Sequence, residues 1–171
     1  MIDELKNIEY VLFDLDGTVS DSSEGITKSA DKALKSEGID VPFETLTSFI
    51  GPALRVSFGR YTDDVEKRDR MLDVYRERYS EKGWCENKIY PGMAELLRDL
   101  QKSGKHVVLA SAKPEYFCRK IIKYFGVEQY FDFIGGSDME GKRDDKTVLL
   151  TYVLDNIGNP RSDKICLLYT S

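Results

Sequence analysis

Residues Val11–Thr18 read VLFDLDGT. An apolar run stops at Asp14, and a second carboxylate, Asp16, follows two positions on. Tyr10 to Phe13 are aromatic, aliphatic and β-branched, as in a strand buried on both faces of a parallel sheet, whereas Asp, Gly and Thr are turn formers. The stretch is therefore a buried strand that ends in a turn. Open α/β sheets bind ligands at the carboxyl ends of their strands, which is where Asp14 falls. Two acids this close repel each other unless a proton or a cation stands between them, and a hard divalent ion such as Mg²⁺ takes oxygen ligands of this kind.

Working outward, His106 to Ala110 is a second short apolar run, and FDFI, Phe131 to Ile134, a third that ends in Gly135-Gly136. Helical patterns lie between and after them. In PGMAELLRDLQKSG the residues Leu96, Leu97 and Leu100 form a face and Gly104 is a stop. PEYFCRKIIKYFG begins with Pro114 at the first helical position and places Phe117, Ile121 and Tyr124 or Phe125 at helical spacing. DKTVLLTYVLDNIG repeats the pattern with Val148, Leu149, Tyr152 and Val153. Strands alternating with helices predict an α/β fold with a parallel, Rossmann-like sheet and right-handed crossovers.

One interval breaks the rhythm. From Ser22 to about Asn87 only helical stretches are found, separated by Gly38, Pro42 and Gly51-Pro52. Ile26, Ala30, Ala33 and Leu34 share one face, and Val65, Met71 or Leu72, Tyr75 and Tyr79 another. The reading is a helical insertion at 21–87 within a discontinuous core formed by 1–20 and 88–165. GRYTDDVEKRDRMLDVYRERY is amphipathic and suits a helix solvated on one side or a dimer face, which leaves the oligomeric state open.

Composition narrows the partners. The 171 residues suffice for one ordinary core, or for a core with a smaller insertion. Thirty acids oppose 25 bases for a net charge of −5, with no basic block, so a nucleic acid polymer is not an expected partner. No apolar window reaches membrane-spanning length and the N-terminus lacks a secretory pattern, which predicts a cytoplasmic protein with no membrane partner. Cys85, Cys118 and Cys166 have no metal-site spacing and read as structural thiols. His106 reads as a strand-edge histidine.

FDLDGTVSDS resembles the first motif of the haloacid dehalogenase superfamily of phosphohydrolases, hydrophobic residues followed by DxDGT and often a later DS. The resemblance implies Asp14 as nucleophile, forming an aspartyl-phosphate, Asp16 as general acid/base, and both with Mg²⁺. Thr18, in the same motif, is implied as a phosphate contact. VVLASAKP places Ser111 at a strand end, where the second motif has a Ser or Thr that binds phosphate. Lys113 follows, as a phosphate contact or as a solvated lysine at a helix start. In GSDMEGKRDDKTVLL, Lys146 resembles the third-motif lysine by its offset before the apolar helix, whereas Lys142 and Arg143 are expected in solvent. The insertion resembles a helical C1 cap, and FIGPALRVSFGRY, with Gly51 and Arg55, the substrate-facing stretch of phosphoglycolate phosphatase and 5′-nucleotidase-like members. Arg55 also reads simply as an exposed helix arginine.

The fourth motif, which supplies a further acidic Mg²⁺ ligand, should follow SDKI, but the chain continues CLLYTS. ICLLY suits a strand. CLLYTS is also the translation of TGTCTCTTATACACATCT, a transposase mosaic-end adapter, so residues 166–171 are expected to be a non-native tail. The last strand or strands of the core are then expected to be missing, and the chain as it stands to be weak or inactive. The expected function is Mg²⁺-dependent hydrolysis of a small cytosolic phosphomonoester, phosphoglycolate-like or a nucleoside 5′-monophosphate. The alternatives are a phosphomutase and a degenerate, non-catalytic phosphate-binding domain.

Overall fold

The computed structural model describes residues 6–140, 142–143 and 145–169. The chain divides into two units, one built from the stretch up to Val19 together with Ile89 onward, the other from Ser20–Lys88.

The first unit is a parallel sheet. Its strands are β1 (Tyr10–Phe13), β4 (His106–Pro114), β5 (Phe133–Ser137) and β6 (Ile165–Leu168), in the order β5-β4-β1-β6. Tyr10 is in register with His106 on one side and Ile165 on the other, and Phe13 with Leu109 and Leu168. ICLLY thus supplies the strand that pairs with β1. On one face Leu12, Val108 and Ala110 pack with Leu149 and Val153 of helix α6 (Lys146–Asn156). Strand alternation turns Val11, Phe13, Val107 and Leu109 to the other face, and these are buried too. Covering on both faces is why the strands read as unbroken apolar runs. Helices α4 (Met93–Lys102) and α5 (Glu115–Tyr124) complete the unit.

The second unit is helical, with α1 (Ser23–Ser36), α2 (Leu54–Gly59), α3 (Val65–Arg78), a 3₁₀ segment at Phe43–Phe49 and a π turn at Tyr79–Gly83. Ile26, Ala30, Ala33 and Leu34 are all buried. An aromatic train runs from Phe49 against Phe58, Phe58 against Tyr75, and Tyr75 stacked on Tyr79. Short strands β2 (Ser20–Asp21) and β3 (Lys88–Ile89) pair into a two-stranded ribbon. Among the described residues no helix is long and apolar enough to cross a membrane.

Several local expectations are corrected. β4 runs to Pro114 rather than ending at Ala110, and Pro114 is the N-cap of α5 rather than its first helical residue. Its extended ψ of 131° continues the strand, and the helix can begin only after it. Leu96, Tyr124, Val148 and Val65 are exposed, while Leu97, Ile121, Leu149 and Leu72 are buried. Adjacent apolar residues on a helix point about 100° apart, so a double apolar position leaves one of the two facing water.

Candidate active site

Asp14 follows the last residue of β1, with its amide donating to the Leu168 carbonyl at 3.0 Å. β6 therefore fixes the backbone where β1 ends. The carboxylate is half-buried and accepts from the Leu15 amide at 2.7 Å. Burial pushes its pKa above the ordinary carboxylate range; the Ser111 hydrogen bond opposes this, the Asp16 charge adds to it, and the Leu15 amide and Lys146 charge also oppose it. The turn after Asp16 needs Gly17, whose φ of +80° is in the left-handed region.

Asp16 is only 8% exposed. One oxygen, Oδ2, meets the Lys113 Nζ at 3.0 Å, and both side chains of this ion pair are buried. The other, Oδ1, is buried and has no hydrogen-bond partner among the described residues. A bulge explains how Lys113 reaches Asp16. Pairing between β4 and β5 is regular up to Ser111 with Gly136, then shifts to Pro114 with Ser137. Such an irregularity re-aims the intervening side chains. Lys113 is thus not the solvated residue of the alternative reading.

Ser111 is buried, and its Oγ also accepts weakly from the Lys113 amide at 3.4 Å. Lys146 opens α6, is exposed, places its ammonium 5.2 Å from the centre of the Tyr169 ring, and exerts its charge on Asp14. Asp145 caps that helix by accepting from the Thr147 and Val148 amides at 2.8 and 3.1 Å. Residues distant in sequence, Asp14, Asp16, Ser111, Lys113 and Lys146, are thereby brought to one end of the sheet.

The remaining candidates sit as follows. Thr18 is half-buried, with its amide donating to the Leu15 carbonyl at 3.3 Å. In the helical unit Gly51 has φ +97°, and Arg55 is exposed and paired with Asp69 Oδ1 at 2.6 Å. His106 stacks on Tyr10 with ring centres 4.6 Å apart and meets Asp132 Oδ2 at 3.1 Å, so it is a strand-edge residue. All three cysteines are free; Cys118 is buried, donates to the Lys113 carbonyl, and burial pushes its thiol far up, which makes it inert.

Sequence reasoning missed Arg143. Lys142 is exposed as expected, but Arg143 is three-quarters covered, with its guanidinium 4.0 Å from the centre of the Tyr152 ring. No periodicity marks it, because it precedes the helix. Reading its Arg against the Tyr of α6 would have been the available signal.

The donors suit a hard cation in kind. The carboxylate of Asp14, half-buried with one oxygen accepting from the Leu15 amide, and the main-chain carbonyl of Asp16 are oxygen ligands of the type Mg²⁺ takes, which leaves Oδ1 of Asp16 clear of the ion. No group of three or more His, Cys, Asp or Glu residues that could hold a metal comes together among the described residues, and Asp14 and Asp16 are the residues that would hold the ion.

The model of the haloacid dehalogenase-like hydrolase family matches residues 11–165. A 5′-nucleotidase of Pseudomonas aeruginosa is 39% identical over 150 residues, 86% of this chain and 68% of that protein. The tyrosine-protein kinase PtkA of Mycobacterium tuberculosis is 36% identical over 147 residues, 85% of this chain but only half of that protein's length. A phosphoglycolate phosphatase of Aquifex aeolicus is 30% identical over 152 residues, covering 88% and 71%. Among solved structures, a predicted phosphatase from Clostridium acetobutylicum superposes with a TM-score of 0.89 at 40% identity, over 94% of this chain and 74% of that one.

Proposed function

We propose, because this chain belongs to the haloacid dehalogenase-like hydrolase family, that it hydrolyses a small cytoplasmic phosphomonoester through a phosphorylated Asp14, with Mg²⁺ as cofactor. The observation that carries the reading is the buried ion pair of Asp16 with Lys113, which stands beside Asp14 and Ser111 at the carboxyl ends of two adjacent parallel strands. A carboxylate nucleophile splits one hard displacement into two easier ones.

The residues divide the work by position. An oxygen of Asp14 attacks phosphorus and the alcohol leaves with a proton from Asp16. Asp16 then takes a proton from the water that attacks the same phosphorus, which frees Asp14 and releases phosphate. Oδ2 of Asp16 is committed to Lys113, so Oδ1 is the oxygen available for proton transfer. Ser111 and Thr18 hold phosphate oxygens, and Lys113 and Lys146 offset the charge that accumulates beside the two acids. Mg²⁺, when bound by Asp14 and Asp16, would neutralise charge on the transferring group. Gly51 and Arg55 are proposed to contribute to substrate choice from the helical insertion.

The names of the relatives support phosphoglycolate-like acids and nucleoside 5′-monophosphates as the substrate classes. A second reading keeps the first step and changes the acceptor from water to a hydroxyl. A phosphomutase would use a sugar hydroxyl, and the relative named a tyrosine-protein kinase makes a tyrosine hydroxyl a further candidate.

The test is phosphate release from phosphoglycolate and a set of nucleoside 5′-monophosphates, with and without Mg²⁺. It is run on the 171-residue chain and on the product of its native locus read past the codon for Ile165. Mg²⁺-dependent release that Asp14→Asn abolishes is expected. Release undiminished in Asp14→Asn rejects Asp14 as nucleophile, and phosphate binding without release in both proteins favours the non-catalytic alternative.

A further inference from the structure

We infer that Arg143 is a positioning residue that sets Lys146 against Asp14, an inference that rests on the phosphatase reading of the site. Arg143 precedes Lys146 by three residues and stands where three elements converge. Its guanidinium covers the Tyr152 ring of α6 at 4.0 Å from the ring centre. Its Nη2 lies 3.9 Å from Glu115 Oε2 in the first turn of α5, and its Nε 3.7 Å from Asp138 Oδ2 just beyond β5. These distances are those of ion pairs rather than hydrogen bonds, so the ring contact is the primary anchor. A planar, always charged guanidinium suits it, because it stacks on an aromatic face while serving carboxylates at its edge.

The partners of Arg143 are themselves tied together. Tyr152 Oη donates to Glu115 Oε2 at 3.2 Å, and Glu115 Oε1 accepts from Arg119 Nε and Nη2 at 3.0 and 2.9 Å. Arg119 Nη2 also donates to the Ile134 carbonyl of β5 at 3.0 Å. The network thus joins α5, β5 and α6. Each junction adjoins a site residue: Glu115 follows Lys113 by two positions, and α6 begins at Lys146. A side chain that ties Tyr152 of α6 to Glu115 of α5 and Asp138 beyond β5 therefore holds the helix from which Lys146 projects.

A double-mutant cycle tests this, with Arg143→Met, Lys146→Met and the pair measured for phosphate release, and hydrogen exchange followed at the Thr147, Val148 and Leu149 amides. Arg143→Met is expected to lower kcat about tenfold, part of the ~10²-fold that a 1 Å misplacement can cost. In the Lys146→Met background the same change should cost less than about twofold, because the residue it positions is gone. Exchange at the three amides should quicken in Arg143→Met, while the Leu109 amide of β4 keeps its protection. Arg143→Lys, which retains charge but not the fork, should recover only part of the rate. Losses that multiply in the double mutant, or exchange unchanged by Arg143→Met, overturn the inference. If neither the 171-residue chain nor the product of its native locus releases phosphate, the phosphatase reading fails by itself, and the exchange measurement alone decides whether Arg143 orders the start of α6.

Discussion

At the scale of single residues, the ion pair of Asp16 with Lys113 carries the most consequence. Both side chains are buried, so each charge offsets the desolvation of the other. Lys113→Met leaves a buried carboxylate uncompensated and is expected to cost about 3–5 kcal/mol of stability, read by chemical denaturation. Adding Asp16→Asn to Lys113→Met should recover a large part of that loss. In the native background Asp16→Asn should slow turnover by about 10²–10⁴ while sparing phosphate binding, the range that a lost general acid/base accounts for. Turnover within a few-fold of the parent would remove Asp16 from that role. The aspartates were legible in the sequence, because DxDGT is a local string. The burial of Lys113 was not, because a lysine at a strand end looks the same in sequence whether a bulge turns it inward or leaves it in water.

Among the elements, two contacts decide whether the framework holds. Gly136 of β5 lies so close to the turn between β4 and α5 that an added Cβ would stand 2.6 Å from the Lys113 carbonyl oxygen and from the Glu115 N and Cα. Backbone atoms cannot step aside as a side chain can. Gly136→Ala is therefore expected to cost about 1–3 kcal/mol and to displace Lys113, so that thermal stability and phosphate release fall together. In the helical unit, Arg78 of α3 donates to both oxygens of Glu86 at 2.8 and 3.0 Å and to Ser29 Oγ of α1 at 3.0 Å. The Arg78 hydrogen bonds hold the Glu86 carboxyl below its ordinary value of 4.5. A depressed carboxyl stabilises the fold fully above that ordinary value, and the contribution is lost as pH falls through the folded-state pKa. Glu86→Gln should thus lower stability by about 1 kcal/mol at neutral pH and flatten the acid limb of the stability profile. Equal acid sensitivity in parent and variant would show that the pair does not matter. The helices were predicted from their apolar spacing, yet Val65, Leu96 and Val148 face water. Spacing marks a face only to within one position, and the neighbour that fills the space decides which residue takes it.

For the whole molecule, the sheet edge at β6 has its own consequence. Leu167, Leu168 and Tyr169 are exposed, and an apolar edge strand is a template for pairing with another chain. The 171-residue chain is expected to self-associate at high concentration, and Leu168→Lys to reduce this in light scattering. The alternation of apolar strands and amphipathic helices, the helix-only interval between them and the DxDGT string were enough in the sequence to establish an α/β sheet with a helical insertion and the family it belongs to. These are local properties, set by side-chain period and turn chemistry within a few residues. Only the tertiary structure decided that β6 pairs with β1, that Lys113 pairs with Asp16, and that Arg143 lies over Tyr152 rather than in solvent. Each of these joins residues from separate elements, and an ion pair or ring contact across such a distance leaves no period in the chain. What selects it is the desolvation of a charge, a quantity that exists only once the elements have packed.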